Sequence, residues 1–501
     1  MNKYSNRIAL CLVFATLRLP MADHATAQTF SCLYSFSPTT AGTNSDGADP
    51  FAGVIALGNT LYGTTTQGGT NGNGSIFSIQ TDGTHFATLH DYAWPPVDRF
   101  LFDSPQSGLV LAGNTLYGAE IGGGTNGNGA IISLNTNGLN YSTLYHWSAL
   151  SSNTNSDGRF PGSTLVLSGG TFFGTANEGG VNGQGTIFRI NEDGTDFTNL
   201  HSFTGQSDGG EPGGLILSGN IVYGTAAFGG TNNTGTVFKV NTDGTDFSIL
   251  HTFATNSGSF LITNADGAYP YGALVLAGST LYGSASEGGT NGTGTIFAVS
   301  TNGARFSVLH NFSALNSTGN FPSPSSTNAD GADPTCTLLL SGQFLYGTTH
   351  GGGPSGSGTV FEVSTNDGSF EVLHSFSAAN PPNFTNADGA DPQSGLIISG
   401  NTLYGTTYGG GTNGLGTLFS LLPAQPPIVP VILSSPQSSF ANANFSFLLS
   451  GSAGSNYVLL ISTNLMNWSP MFTSTIPVSG SVRLTNTSAG SNQRFYRAIL
   501  P

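Results

Sequence analysis

One Gly-rich phrase is written seven times along this chain, and no other feature limits its fold as strongly. LYGTTTQGGTNGNGSIF at 61–77 returns as LYGTTYGGGTNGLGTLF at 403–419. The third residue of each copy is Gly63, Gly118, Gly174, Gly224, Gly283, Gly347 and Gly405, at spacings of 55, 56, 50, 59, 64 and 58 residues. Such periods belong to propeller blades and other arrays, whose single units cannot bury their apolar faces alone.

Each unit carries four apolar runs of strand length. In the second, GLVLA (108–112) reads as strand a, TLYGAE as strand b, AIISL (130–134) as strand c and YSTLYHW (141–147) as strand d. Turn pairs recur between c and d: Asp82-Gly83, Asn137-Gly138, Asp193-Gly194, Asp243-Gly244, Asn302-Gly303 and Asp367-Gly368. Such pairs adopt positive backbone angles at low cost, as tight hairpins demand. Four antiparallel strands per unit make a blade.

A phase shift points to a ring. Strand d has the form FxxLHxF and occurs at 86–92, 141–147, 197–203, 247–253, 306–312 and 370–376. The seventh unit stops at strand c near Leu421, and its missing strand is FSCLYSF at 30–36, at the other end of the repeats. An N-terminal strand d completing the last blade removes the open edges that invite aggregation. The expected fold class is therefore all-β: a seven-bladed β-propeller over 28–421, closed by its N-terminal strand, with a β-solenoid as the alternative.

These residues bring a family into view. LYGTTxxGGxxGxGTxF followed by DGTxFxxLHxF resembles the GloVer tandem repeat of exported bacterial proteins, and more distantly a kelch-type blade. The resemblance covers roughly residues 30–421. It implies export and varied C-terminal attachments, and no known reaction.

The flanks read differently. Lys3 and Arg7, the apolar run 8–17 and the small residues Ala25 to Ala27 form a signal-peptide pattern over 1–27, so a secreted or envelope location is expected. Its removal leaves eight basic and 25 acidic residues, with Lys239 the only lysine. Phosphate-backbone binding needs clustered Lys and Arg, so nucleic acid is not an expected partner. No later segment is long and apolar enough to cross a membrane as a helix, and a monomer is expected. Residues 422–437 are a Pro-rich linker. Residues 438–501 hold five alternating runs, expected to form a small antiparallel β-sandwich. STNLMNW and the ending RFYRAILP look like C-terminal modules of other exported envelope proteins. Cys32 and Cys336 are too few for a disulfide framework and read as small packing residues.

Chemistry is sparse. GGTNGNG lacks the GK[ST] and helix of a phosphate loop, and the period and Asp of a calcium-binding nonapeptide, so it reads as a tight b–c connection. Five of the nine histidines, His90, His201, His251, His310 and His374, share one strand-d slot that Tyr34 and Tyr145 fill elsewhere. One ring per blade suits packing plus a hydrogen bond better than shared metal ligation. Strand alternation puts Phe197, His201 and Phe203 on one face and Leu200 on the other.

The turn NSDGADP at 44–50 recurs at 328–334 and 386–392, with looser copies at 155–161, 206–212 and 264–270. The paired carboxylates Asp46/Asp49, Asp330/Asp333 and Asp388/Asp391 are candidate oxygen ligands for calcium, the one cofactor the residues suggest. Each loop alone supplies too few oxygens, and an Asx-turn closed by Pro explains the same pattern. The d–a and b–c loops open on one face, and the d–a loops carry the length variation, which is where binding residues gather on a rigid scaffold. Trp94, Arg99, Glu178, Phe228, Glu287, His350 and Tyr408 are the chemically distinctive residues there and the candidate ligand contacts.

No HExxH and no nucleophilic Cys context is present. The expected function is an exported binding or adhesion propeller for a glycan or protein, without catalysis. Two alternatives stand beside it: a polysaccharide lyase or glycosidase using acidic residues of the long-loop face, and an inert structural surface protein.

Overall fold

The computed structural model describes residues 28–92, 106–257, 262–316, 326–423, 432–439, 444–450, 456–462, 469–475, 481–486 and 495–499. The compact unit Thr29–Pro423 contains seven four-stranded antiparallel sheets. Blade 3 is typical, with strands a to d at Val166–Ser168, Thr171–Ala176, Thr186–Asn191 and Thr198–Ser202. Blade 7 takes strands a to c from Ile397–Ser399, Thr402–Thr407 and Thr417–Leu422, and strand d from Thr29–Ser35. Thr29 pairs with Leu422 and Ser35 with Thr417. The sheets form a β-propeller, closed as the phase shift of the repeat requires.

The core lies between blades rather than within them. One cluster joins Tyr223, Val237 and Phe253 of blade 4 to Leu274, Leu281 and Phe297 of blade 5. Equivalent clusters join every neighbouring pair, and one of them sets Phe36, Tyr404 and Leu418 of blade 7 against Leu61 and Phe77 of blade 1. Strands b and c therefore bury both faces and read as continuous apolar runs. The glycine of each LYG is a packing residue: a Cβ on Gly174 would lie 2.6 Å from the Phe188 ring and 2.8 Å from Leu165.

Strand d departs from the expected alternation. In blade 3 Ile187 pairs with His201 and the adjacent Phe188 with Asn199, so Leu200 is an extra, bulged residue. The same irregularity occurs in all seven blades. One inserted residue inverts the facing of everything after it. Phe197 consequently stacks on Tyr145 of blade 2, while His201 and Phe203 turn to Phe247 of blade 4. Phe197, His201 and Phe203 thus do not share a face. The bulge also explains the c–d turn glycines. Gly194, at φ +85°, would place a Cβ 2.4 Å from the carbonyl oxygen of the bulged Leu144 in the preceding blade.

Of the two cysteines among the described residues, Cys336 is buried and Cys32 is exposed on the closing strand, so only the former is a packing residue.

The described strands of the C-terminal unit form two antiparallel three-stranded sheets. One orders Ile432–Ser439, Asn444–Ser450 and Ser481–Asn486; the other orders Ser469–Thr475, Asn456–Ser462 and Phe495–Ile499. Five of these six strands fall within 438–501, where five runs were expected. The remaining one, Ile432–Ser439, reaches into the Pro-rich stretch. Pro436 is accommodated because this is an edge strand with a register shift between Ser434 and Gln437. Among the described residues no helix is long and apolar enough to cross a membrane.

Candidate functional site

The repeated acidic turn has two carboxylate positions, and the fold gives them different work. The first Asp faces outward, to strand d. Asp46 accepts hydrogen bonds from Tyr34 Oη at 2.7 Å and from the Ser37 amide at 2.9 Å. Asp157 takes Tyr145 in the same way, and Asp208, Asp266, Asp330 and Asp388 take His201, His251, His310 and His374 at 2.7–3.2 Å. Each slot ring then lies flat on the first aromatic of the next blade's strand d. The pairs run His90–Tyr141, Tyr145–Phe197, His201–Phe247, His251–Phe306, His310–Phe370, His374–Phe30 and Tyr34–Phe86, at centroid distances of 3.7–4.4 Å. The seven stacks run once round the ring. Tyr34, Tyr145, His201, His251, His310 and His374 thus each make one hydrogen bond to the turn and one interblade stack, and Asp46, Asp330 and Asp388 belong to that frame.

The Asn that opens the turn ties it to its own blade. Asn44 Oδ1 accepts from the Gly47 and Gly69 amides at 2.9 and 2.8 Å, and Asn155, Asn264, Asn328 and Asn386 repeat this. The Asn of the b–c loop is also structural. Asn126, Asn182, Asn291 and Asn413 each donate to the carbonyl that ends strand d, namely Trp147, Phe203, Phe312 and Phe36.

The residue before the turn's proline faces inward. Asp49, Phe160, Glu211, Tyr269, Asp333 and Asp391 occupy it, all at φ between +51° and +59°. Phe and Tyr rarely tolerate this region. Here both backbone groups are held: the Asp391 amide donates to Ser357 O of blade 6 at 3.0 Å, and its carbonyl accepts from the Tyr408 amide at 3.1 Å. The proline that follows packs on the preceding blade, where a Cβ on Gly185 would lie 2.5 Å from Pro212. Beyond it, the segments entering strand a meet each other from blade to blade. The Gly108 amide donates to Thr164 Oγ1 at 3.1 Å, and the Ala273 amide to Thr337 Oγ1 at 3.0 Å. Strand a is thus innermost, and the pre-proline side chains stand around the central mouth of the loop-rich face.

The b–c loops contribute a second tier there through backbone bridges such as Arg159 to Glu178 and Ala268 to Glu287. Glu178 accepts a hydrogen bond from Arg159 Nε at 2.9 Å and a second from its Nη2, and the guanidinium lies 4.4 Å from the centre of the Phe160 ring. Phe228 meets Tyr269 at 5.1 Å and Tyr271 at 6.3 Å. His350 Nδ1 lies 3.2 Å from Asp333 Oδ2. Tyr408 packs edge-on against Phe51 at 6.3 Å. Five of the seven expected contact residues therefore belong to this mouth; Trp94 and Arg99 lie outside the described residues.

Carboxylates dominate the electrostatics, although Glu178 is paired with Arg159 and Asp333 with His350. Burial pushes Asp49 up to about 6. Burial also raises Glu287, helped by Asp333, and Glu211, helped by Glu178. Burial raises Asp391, with His350 opposing it. Burial lowers His350, but the hydrogen bond and charge of Asp333, with Asp391, reverse this and hold it above the usual imidazole range. Among the described residues no three His, Cys, Asp or Glu side chains are grouped to hold one metal ion.

Sequence reading missed Glu211, Tyr269, Tyr271, Phe51 and Arg159. The signal was available: in the six described turns the proline is constant while the residue before it changes from Asp to Phe, Glu or Tyr.

Four overlapping segments, 98–264, 222–382, 261–426 and 330–459, match the model of the Gloeobacter/Verrucomicrobia repeat. No curated protein matches the sequence. Among solved structures, the chain is similar to an oligogalacturonate lyase from Vibrio parahaemolyticus, at 10% identity and a TM-score of 0.44 over 80% of this chain and 94% of that one. It is similar to a GH74 enzyme from Niastella koreensis at 12% identity and 0.44, over 91% and 73%. It is also similar to a periplasmic gluconolactonase from Pseudomonas aeruginosa at 16% identity and 0.42, over 74% and 97%.

Proposed function

The chain belongs to the Gloeobacter/Verrucomicrobia repeat family, and on that premise we propose that it is an exported binding propeller that holds a glycan or protein ligand on its loop-rich face without transforming it. The observation that carries this reading is the contrast between frame and mouth. Residues that bond blade to blade repeat with little change, while the pre-proline and b–c loop positions around the axis vary among acidic, aromatic and imidazole side chains. Variation confined to one face of a rigid scaffold is the usual layout of a recognition surface.

The test uses the chain from residue 28 onward on glycan, cell-wall and protein arrays. Saturable retention is expected, and it should be lost when Phe228 and Tyr408 are both changed to Ala. Release of reducing or unsaturated sugars without retention would replace this reading with an enzymatic one. The specific observation behind that second reading is Asp49, whose raised pKa suits a general acid. Neither retention nor release would leave a structural surface protein.

A further inference from the structure

Blades 4 and 5 differ from the rest of the mouth. Outside blade 4 strand a has three residues, and in blades 1, 3, 5, 6 and 7 the turn reaches the b–c loop through an isolated bridge. In blade 4 strands a and b extend to Gly210–Ser218 and Ile221–Phe228, and they pair as far as Gly210 opposite Phe228. Glu211 and Phe228 therefore stand on a hairpin that continues past a register shift between Pro212 and Leu215. Against it, blade 5 sets Tyr269 and Tyr271, so that three rings meet at interplanar angles of 46° and 79°. Tyr271 is 42% exposed, unusual for so large a ring. Glu287 is tied by a backbone bridge to Ala268, next to Tyr269, and Glu211 follows Gly210, which pairs with Phe228; burial and then the charges of Glu211, Glu287 and Asp333 drive the Tyr271 hydroxyl up to about 12. Among the described residues neither Glu211 nor Glu287 has a cationic partner.

We propose that the Phe228–Tyr269–Tyr271 corner, with Glu211 and Glu287 beside it, is an ammonium-recognising subsite of the mouth, and that its ligand is a saccharide bearing free amino groups. This rests on the binding function proposed above and names the ligand class. Rings meeting at an angle present negative π-faces to a cation, an attraction that strengthens where water is partly excluded. The two carboxylates supply charge-assisted acceptors. A pyranose amine fits better than a lysine side chain. Its ring offers a rigid apolar face to Tyr271, whereas lysine brings its charge on a flexible four-carbon stem that must be ordered on binding. Both hairpin residues sit on paired strands, so little is lost in ordering the site.

The experiment is calorimetric titration of the chain from residue 28 with a glucosamine hexamer, its fully N-acetylated counterpart and hexalysine. The glucosamine hexamer is expected to bind at least about ten-fold more tightly than the acetylated one. Tyr271→Ala and Glu287→Gln should each weaken it by about ten-fold or more, at an unchanged melting temperature. Equal binding of both hexamers would overturn the ammonium preference while leaving glycan binding intact. Hexalysine binding as tightly as the glucosamine hexamer would make the ligand a basic peptide and overturn the saccharide. Retention of some other glycan by the arrays, with no response to the glucosamine hexamer, would overturn this subsite alone. Should Tyr271→Ala lower the melting temperature, Glu287→Gln with a salt titration decides: affinity unmoved by both overturns the proposal.

Discussion

His374 lies flat on Phe30, with ring centroids 3.7 Å apart and planes within 6°, although one residue ends the sixth repeat and the other lies on the strand that precedes the first. Their contact is one of seven equivalent stacks, and it is the one that closes the ring. His374 is fixed from behind by Asp388, at 3.0 Å. Phe30 also packs on Phe376 and Phe419, so the N-terminal strand is seated by blades 6 and 7 together. The propeller therefore cannot hold its last blade before its first segment has found its place.

Phe30→Ala should accordingly destabilise the whole propeller. Loss of a half-buried ring against three aromatic partners is expected to cost about 2–3 kcal/mol. Urea unfolding followed by intrinsic fluorescence measures it. A variant as stable as the parent would mean that the closing strand contributes little.

The strand-d slot should accept Tyr for His. Tyr34 and Tyr145 already reach the same Asp and stack on the same neighbour. His201→Tyr is expected to stay within about 1 kcal/mol of the parent, because ring and hydrogen bond are both kept. His201→Ala loses the stack on Phe247 and strips Asp208 of a donor, at about 2–3 kcal/mol. Equal loss in both variants would count against this account of the slot.

Two glycines with positive φ should respond differently to Ala. Gly219, at φ +60°, has open space where a Cβ would go, so Gly219→Ala pays only the left-handed backbone strain of about 1–2 kcal/mol. Gly194 adds the collision with Leu144 O, so Gly194→Ala is expected to exceed about 3 kcal/mol. The difference between their unfolding midpoints reports how tightly the c–d turn of blade 3 is pressed on the bulge of blade 2.

Asp49 sets a pH dependence of known sign. Its folded pKa of about 6 lies above the ordinary carboxylate value, so its favourable contribution is complete below about pH 4 and is lost as pH rises through 6. Asp49→Asn removes the buried charge and keeps a side chain that tolerates positive φ. The variant should match the parent near pH 3.5 and exceed it by roughly 2 kcal/mol at pH 8. The opposite pattern would show that Asp49 is paired at neutral pH.

The sequence by itself determined the number of blades, their strand order and the closure of the ring. Those follow from a period and a phase shift, and both are properties of residue order. It also placed Glu178, Phe228, Glu287, His350 and Tyr408 on the loop-rich side, because a four-stranded meander puts d–a and b–c loops at one end. Tertiary structure alone decided which way each side chain faces and which repeats share a site. The bulge at Leu200 turns His201 and Phe203 away from Phe197, and no alternation rule reveals it, since an inserted residue changes facing without changing composition. The turn's two carboxylates looked like one pair, yet Asp46 serves Tyr34 on the outer strand while Asp49 faces the axis. Glu211, Glu287 and Asp333 come from blades 4, 5 and 6 and are far apart along the chain. Only the curvature of a closed ring, which narrows toward its axis, brings them within reach of the Tyr271 hydroxyl.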